Sequence, residues 1–356
     1  MEVHPGLEVE KGPEVSDLKK KLKCEPIRNN FSNLRELSRK LKSIQRAAFR
    51  RKYGNLLGLL ELDIEMDIVT ALAQYYDPSM RCFLFQDFQL VPTIEEYEQI
   101  LDLPLGGGIP YRHCEQHSSI LTISSISRIP QDMLKSRLIS VRNTRGFSQR
   151  FLEAHLQQLS IKEDWETFIN VLALILYGTI LFPYSNDYVE YAAIDIFVAV
   201  RTRFENPVTA VLAETYLALD LCYERNVRKM ICSVHVLYVW LMSRIGDNIL
   251  GVRCPIELVT RKKLDKRTRK EWALFIAGLN QKKIIWQPSW QQRSKLIYRC
   301  EGFPNVPLIG IRGCISYNPV LAQRQFGYPI RGVPTPAVLV PFVCYYQDGF
   351  VNDTLR

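Results

Sequence analysis

Leu34, Leu37, Leu41, Ile44 and Ala48 recur at spacings of three and four, which predicts one amphipathic helix starting near Asn33. Asn33 followed by Glu36 fits a helix start, with a side-chain cap and a carboxylate reaching back. Arg35, Arg39, Lys40, Lys42, Arg46, Arg50, Arg51 and Lys52 fill much of the opposite face. A stripe of this kind lies on a membrane, follows a phosphate backbone, or docks on the rest of the protein. Docking is the commonest fate, and the stripe lacks the tryptophan a membrane surface favours.

Further along, residues 63–76 read as a helix stopped by Asp77-Pro78, after a break marked by Gly54 and Gly58. CFLFQDFQL at 82–90 alternates enough to predict a strand. Thr93, with Glu96 three residues on, predicts a capped helix that ends by Leu103-Pro104. Helical spacing or length then covers 130–141, 148–159, 165–181, 188–204, 207–224, 228–245 and 270–279. Beyond about residue 286 the prolines and glycines crowd, predicting turns, short helices and extended pieces. The expected fold is mainly α, a multi-helix globular domain with few short strands and a Pro/Gly-rich irregular C-terminal region.

Composition refines this picture. The chain has 356 residues, 47% of them hydrophobic, enough to bury a real core. The most apolar stretch, Ile169 to Phe182, stops at Pro183 and is short of the roughly 18–20 residues a membrane span needs. It reads as a buried core helix. Residues 1–23 carry no apolar leader, so a reducing intracellular compartment is expected. Nine cysteines (24, 82, 114, 222, 232, 254, 300, 314 and 344) form no CxxC pair, arguing for free thiols rather than a disulfide framework or zinc ribbon. The net charge is +9, and +7 of it falls in residues 1–52. Charge therefore suggests a basic arm, including Lys19, Lys20, Lys21, Lys23, Arg46, Arg50, Arg51 and Lys52, on a nearly neutral body. One body segment continues the theme: Arg261, Lys262, Lys263, Lys266, Arg267, Arg269 and Lys270 within RKKLDKRTRK. It is either a solvated face or a nuclear-import or phosphate-contacting patch.

Candidate chemistry is sparse. Gly106–Gly108 lacks the Lys-Ser/Thr of a P-loop and the context of a dinucleotide site. His113, Cys114 and His117 cluster in YRHCEQH, a weak candidate metal set needing a further ligand such as Glu115. Asp63, Asp67, Asp87, Asp195 and Asp220 are carboxylates that a magnesium-dependent nuclease would have to bring together. Trp286, Trp290 and Tyr298 among Arg293, Lys295 and Arg299 are candidates for base stacking or for core packing. No catalytic residues, resident metal or cofactor are assigned.

Several ordered segments resemble the plant mobile domain, the aminotransferase-like domain of plant transposable elements and some host genes. They are YGNLLGLLEL at 53–62, ALAQYYDPSMRCFLFQDFQLVPTIEEYEQILDLPL at 71–105, GTILFP at 178–183 and NPVTAVLAETYLALD at 206–220. VHVLYVWLMSRI at 234–245 and the stretch from WQQRSKLIYRC to SYNPVLAQRQFGYP at 290–329, with RGVPT after it, complete the set. The nearest branch is the uncharacterised legume type. The resemblance begins where the basic arm over 1–52 ends; it implies a family domain over 53–335 and an irregular, truncated tail over 336–356 that lacks an acidic helical continuation. It further implies a transposon-derived nuclear interaction module, with the cytoplasm as second location. Protein partners are expected, nucleic acid is a candidate partner, and no membrane is. The alternatives are a metal-dependent nuclease or transposition-associated enzyme, or a degenerate domain. The family's label suggests pyridoxal chemistry, but no segment here provides a Schiff-base lysine with its partners.

Overall fold

The computed structural model describes residues 24–106, 108–114, 117–225, 227–262, 265–291, 297, 306–317, 322, 325 and 343–345. The described chain is mainly α, as its periodicity predicts. It opens with β1 (Glu25–Pro26), α1 (Ser32–Arg39), α2 (Ser43–Tyr53), α3 (Leu56–Glu61) and α4 (Met66–Ala73). The single helix expected from Asn33 is therefore two. Leu34, Leu37 and Leu41 are buried, but Ile44 is 77% exposed, and Phe49 and Tyr53 face the core in its place. The break has a local cause. Lys42 is extended, and its N–H is held at 2.7 Å by Gln45 Oε1, so a new helix starts there with a new phase. Nor does Asn33 cap α1. Asn30 Oδ1 accepts the Ser32 N–H at 3.0 Å, while Asn33 donates to Glu153 at 2.8 Å across the fold.

Next come β2 (Tyr76–Asp77), β3 (Cys82–Leu84), β4 (Gln89–Leu90), α5 (Ile94–Leu101), β5 (Ile109–Pro110), α6 (Ile120–Ser127) and α7 (Gln131–Arg137). The expected strand at 82–90 is thus a small hairpin, and the helix expected over 63–76 gives up both its ends. The start of α5 follows the sequence reading: Thr93 Oγ1 accepts the Glu96 N–H at 3.2 Å, and Glu96 Oε2 accepts the Thr93 N–H at 3.0 Å. The order continues with β6 (Ile139–Val141), β7 (Thr144–Ser148), α8 (Gln149–Ile161) and α9 (Trp165–Leu176), extended by a π turn over Tyr177–Leu181. Then follow β8 (Tyr188–Glu190), α10 (Tyr191–Arg203), β9 (Glu205–Asn206), α11 (Val208–Glu224), β10 (Lys229–Met230), α12 (Val234–Arg244), α13 (Pro255–Arg261) and α14 (Arg269–Ala277). β11 (Val306–Ile309), β12 (Gly313–Tyr317) and β13 (Val343–Tyr345) form an antiparallel sheet in the Pro/Gly-rich region. The helices expected over 130–141, 188–204 and 228–245 each yield an end to a strand: β6, β8 and β10.

The center is built from α9, α11 and α12. Every residue of α12 is buried, as is every residue of α11 from Val208 to Cys222. Neither shows a polar face toward solvent, because water reaches neither side, and the polar residues they carry, Glu214, Asp220, His235 and Arg244 among them, are buried with the rest. The Ile169–Phe182 stretch lies in this core, and no helix among the described residues is long and apolar enough to cross a membrane. Residues on both sides of the 52/53 boundary share one hydrophobic cluster, Leu34, Leu37, Phe49 and Tyr53 lying in it with Leu56, Leu172 and Phe197.

Two cysteines depart from expectation: Cys24 and Cys222 form a disulfide, with Cα atoms 6.0 Å apart across 198 residues of chain. An odd count and irregular spacing describe the sequence; only the fold brings these two together. Cys82, Cys114, Cys232 and Cys254 are free thiols.

The core also encloses ionisable groups whose shifts oppose one another. His235 stacks edge-on against Phe31 at 5.3 Å, and burial, assisted by Arg35, pushes it down to about 3. Its contribution to stability is present above its ordinary value of 6.5 and is lost as pH falls toward 3. Burial raises Asp220 to about 6 against the opposing charge of Arg81. The contribution of Asp220 is complete below about 4 and is lost as pH rises through about 6. The two slopes, each about 1.4 kcal/mol per pH unit, cancel between pH 4 and 6. His235→Gln should therefore gain about 2 kcal/mol relative to the parent between pH 6.0 and 4.5. Urea denaturation at the two pH values measures this; parallel pH dependences for parent and variant would refute it.

Candidate functional site

β5, the β6–β7 hairpin, β8 and the start of α10 converge on a cavity of about 360 Å³. Its placement depends on Val189 in β8, which is pressed between two glycines. A Cβ on Gly146 of β7 would fall 2.2 Å from the Val189 carbonyl oxygen, and one on Gly178 of the π turn 2.5 Å from Val189 Cγ1. Only glycine permits both approaches, and together they fix Glu190, the next residue, at the end of the cavity.

Arg312 forms the buried floor. Its guanidinium donates to Glu190 Oε2 at 2.8 Å and to Glu214 Oε2 at 2.5 Å, and lies 5.5 Å from the Tyr184 ring. Glu214 Oε1 also accepts the Ile311 and Arg312 N–H groups at 2.7 and 3.0 Å. Burial raises the Glu190 carboxyl above its ordinary range, with Arg312 opposing the shift. This ionic knot joins the end of β8, α11 and the turn between β11 and β12.

One wall is a hydrogen-bonded group at the start of α10. His117 Nδ1 lies 2.5 Å from Asp195 Oδ2, and Asp195 Oδ1 accepts the Ser118 N–H at 2.7 Å. The Tyr191 hydroxyl donates to the Ser118 carbonyl at 2.6 Å, and its ring meets His117 edge-on at 5.3 Å. Tyr111, His113 and Cys114 line the cavity too, and Arg142, Asn143 and Arg145 form its exposed rim. Arg142 holds a left-handed φ of +54° in the two-residue turn between paired Val141 and Thr144. Neither Arg142 nor Arg145 has an ion pair or a guanidinium hydrogen bond among the described residues.

His113, Cys114 and His117 thus share a cavity as their clustering suggests. Among the described residues, however, no group of three or more His, Cys, Asp or Glu could hold a metal ion; Glu115 lies outside them. The five candidate aspartates do not converge either. Asp63 pairs with Arg35, Asp67 with Arg269, Asp195 with His117 and Asp220 with Arg81, and Asp87 accepts the Gln281 N–H. Trp290 is buried against Val252 and Leu258, and Trp286 packs on Phe88. Tyr298, Arg293, Lys295 and Arg299 lie outside the described residues.

The basic residues divide into those used internally and those left facing water. Arg46 donates to the Leu41 and Ser38 carbonyls, and Arg50 pairs with Asp102 at 2.7 Å. In the later run, Arg261 pairs with Glu257, and Arg269 ties Glu25 to Asp67. Lys262 Nζ caps the end of α12, donating to the Met242 and Ile245 carbonyls at 2.9 and 2.6 Å, and burial pushes it down to about 8. Arg267 lies over Trp272 and Phe275, 4.7 and 4.5 Å from the ring centers. Arg51, Lys266 and Lys270 are exposed and Lys52 half-buried. Lys19, Lys20, Lys21, Lys23 and Lys263 lie outside the described residues.

Sequence reasoning missed Arg142, Arg145, Arg312, Glu190 and the three cavity tyrosines, Tyr111, Tyr184 and Tyr191, as site residues. The usable signal was Arg142-Asn143 between Val141 and Thr144, a hairpin pattern hidden at the end of an apparent helix.

Fold and site together define a mainly α domain enclosing a polar cavity rich in arginine and tyrosine. Residues 34–356 match the family model described as a domain of unknown function (DUF7745), and the chain belongs to that family. The match begins inside α1, so the docked basic helices are part of the family domain. No curated protein and no solved structure matches the chain.

Proposed function

We propose that this chain is a non-enzymatic interaction module of transposable-element descent that acts in the nucleus. Its body binds protein partners, and its basic surface adds attraction for nucleic acid. The observation that carries this reading is the pairing of the buried acids. Glu96 is held by Arg244, Asp220 by Arg81, and Glu190 and Glu214 together by Arg312, as structural ion pairs are. Descent and nuclear location rest on the resemblance to the plant mobile domain.

The charge has a sharper address than residues 1–52 as a whole. Residues 1–23 carry five basic and five acidic residues, whereas 24–52 carry nine and two. The whole +7 excess therefore sits on the docked segment. Lys40, Lys42 and Arg51 are exposed there, with Lys52 half-buried beside them. Binding of the full chain to a short DNA duplex, followed against salt, tests the nucleic-acid part. Lys40→Ala, Lys42→Ala, Arg51→Ala and Lys52→Ala together should lower the salt slope by about 3–4, near 0.9 per lost phosphate contact. Removing only residues 1–23 should change the slope far less. An unchanged slope in the fourfold variant, or no duplex binding by the parent, rejects this surface as the contact.

A further inference from the structure

We infer that the cavity between the β6–β7 hairpin and α10 binds a small phosphorylated aromatic ligand, of the size and chemistry of a nucleoside monophosphate. The argument begins with charge. Both cavity carboxylates are occupied: Glu190 by Arg312, and Asp195 by His117 and the Ser118 N–H. Arg142 and Arg145 are not, having no ion-pair partner among the described residues. The cavity thus presents two uncommitted guanidinium groups, which suit the bidentate geometry of phosphate.

The backbone around them favors the same ligand. Glu190 occupies the N-cap position of the 13-residue α10 but makes no side-chain cap, because its carboxylate is turned to Arg312. The first turn of α10 has no acidic residue either, and its Tyr191 and Ala192 line the cavity. The positive end of this helix therefore adds to the field of the arginines. Arg142 is held in its left-handed conformation at the hairpin tip, an unfavorable state for a residue with a side chain, and it sits at the cavity mouth.

The aromatic part of the ligand follows from the remaining lining. Tyr111, Tyr184 and Tyr191 supply ring surface inside the cavity, and Tyr184 is itself backed by Arg312. A volume of about 360 Å³ is at the small end of the range for small-molecule sites. It suits one base with its sugar and phosphate rather than a stretch of polymer. The ligand could be a free mononucleotide or the phosphorylated end of a single strand, which share this chemistry.

Calorimetric titration of the full chain with adenosine and uridine 5′-monophosphates, their nucleosides, and a 5′-phosphorylated single-stranded oligonucleotide tests the inference. At least one monophosphate should bind, and at least tenfold more tightly than its nucleoside. Arg142→Ala and Arg145→Ala, both at exposed hairpin positions, should each weaken it about 10–100-fold without shifting the melting temperature. Arg51→Ala, on α2, should leave it unchanged, which separates this site from the basic surface proposed above. Oligonucleotide binding that the monophosphate displaces would identify a strand end as the source; monophosphate binding alone would identify the free nucleotide. Equal affinity for nucleoside and monophosphate, parent affinity in both arginine variants, or no binding of any monophosphate at millimolar concentration would overturn the assignment.

Discussion

Glu96→Ala should destabilise the protein by about 3–5 kcal/mol, the cost expected when one member of a buried ion pair is removed. Glu96 and Arg244 are both fully buried and form an ion pair. Glu96 has two further tasks. It closes the N-terminal cap of α5 through the Thr93 N–H, and it accepts the Trp240 Nε1–H at 2.9 Å. Arg244 in turn donates to the Trp286 and Ile285 carbonyls at 2.6 and 3.3 Å, fixing the segment after α14 against the end of α12. Alanine would leave a buried guanidinium without its counter-charge, as well as an unpaired indole N–H. Glu96→Gln retains an acceptor for cap and indole but not the charge, so it separates the contributions. The double variant Glu96→Gln/Arg244→Met should recover a substantial part of the loss, since the stranded charge is gone. Chemical denaturation of these three variants and of Arg244→Met alone measures this. A double variant as unstable as the sum of its single changes would show that the two side chains act independently.

The legible parts of this fold are those specified within one or two helical turns. Thr93 and Glu96 cap each other three residues apart, so their roles could be read from sequence. The same holds for the existence of α9 and α11, whose long apolar-rich runs read as buried helices, though not for the partners of Glu214 and Asp220 within α11. The split between α1 and α2 was not legible. Leu34 to Ala48 keep helical spacing throughout, so the period does not reveal the Lys42–Gln45 break, and contacts from afar, Asn33 with Glu153 and Tyr53 with Asn170 at 2.8 Å each, set which side turns inward. The strand-forming ends of α7, α10 and α12 were hidden for a similar reason: a short apolar run is compatible with either period until a partner strand is present.

The candidate site divides along the same line. His113, Cys114 and His117 stand close in sequence and were found together. The rest of the cavity comes from residues 142–145, 184–195 and 311–312, joined by pairs such as Arg312 with Glu190 that are 122 positions apart. Charge counting shows a different limit. It placed the excess near the N-terminus but could not show that Arg35, Arg39, Arg46 and Arg50 already have internal partners. Nor could it show that Arg269 fastens Glu25 to α4, as a structural contact rather than a phosphate contact.

Loss of the Cys24–Cys222 link should produce the other large effect. The link closes a loop spanning 198 residues, and chain entropy alone assigns such a closure about 5 kcal/mol. Just beyond Cys24, buried Ile27 and Phe31 and the Asn29 side chain, which donates to the Thr179 carbonyl at 3.0 Å, hold the chain to the body. β1 is a two-residue strand paired with β10, and its Glu25 N–H donates to the Arg228 carbonyl at 2.8 Å. The salt bridge from Glu25 to Arg269 is exposed and, at 3.3 Å, contributes little. Without the link, β1 should fray first, with the buried Leu34 and Leu37 of α1 holding the segment beyond it. A double Cys24→Ala/Cys222→Ala variant and the parent in reductant should therefore lose stability by similar amounts, and the variant should no longer respond to reductant. Amide exchange at Glu25 should accelerate in both, whereas Cys114→Ala, at an exposed free thiol, should leave the midpoint and its response to reductant as in the parent. A parent whose midpoint shifts no more with reductant than that of the double variant would mean that α1, docked by its leucines, already supplies the constraint assigned to the disulfide.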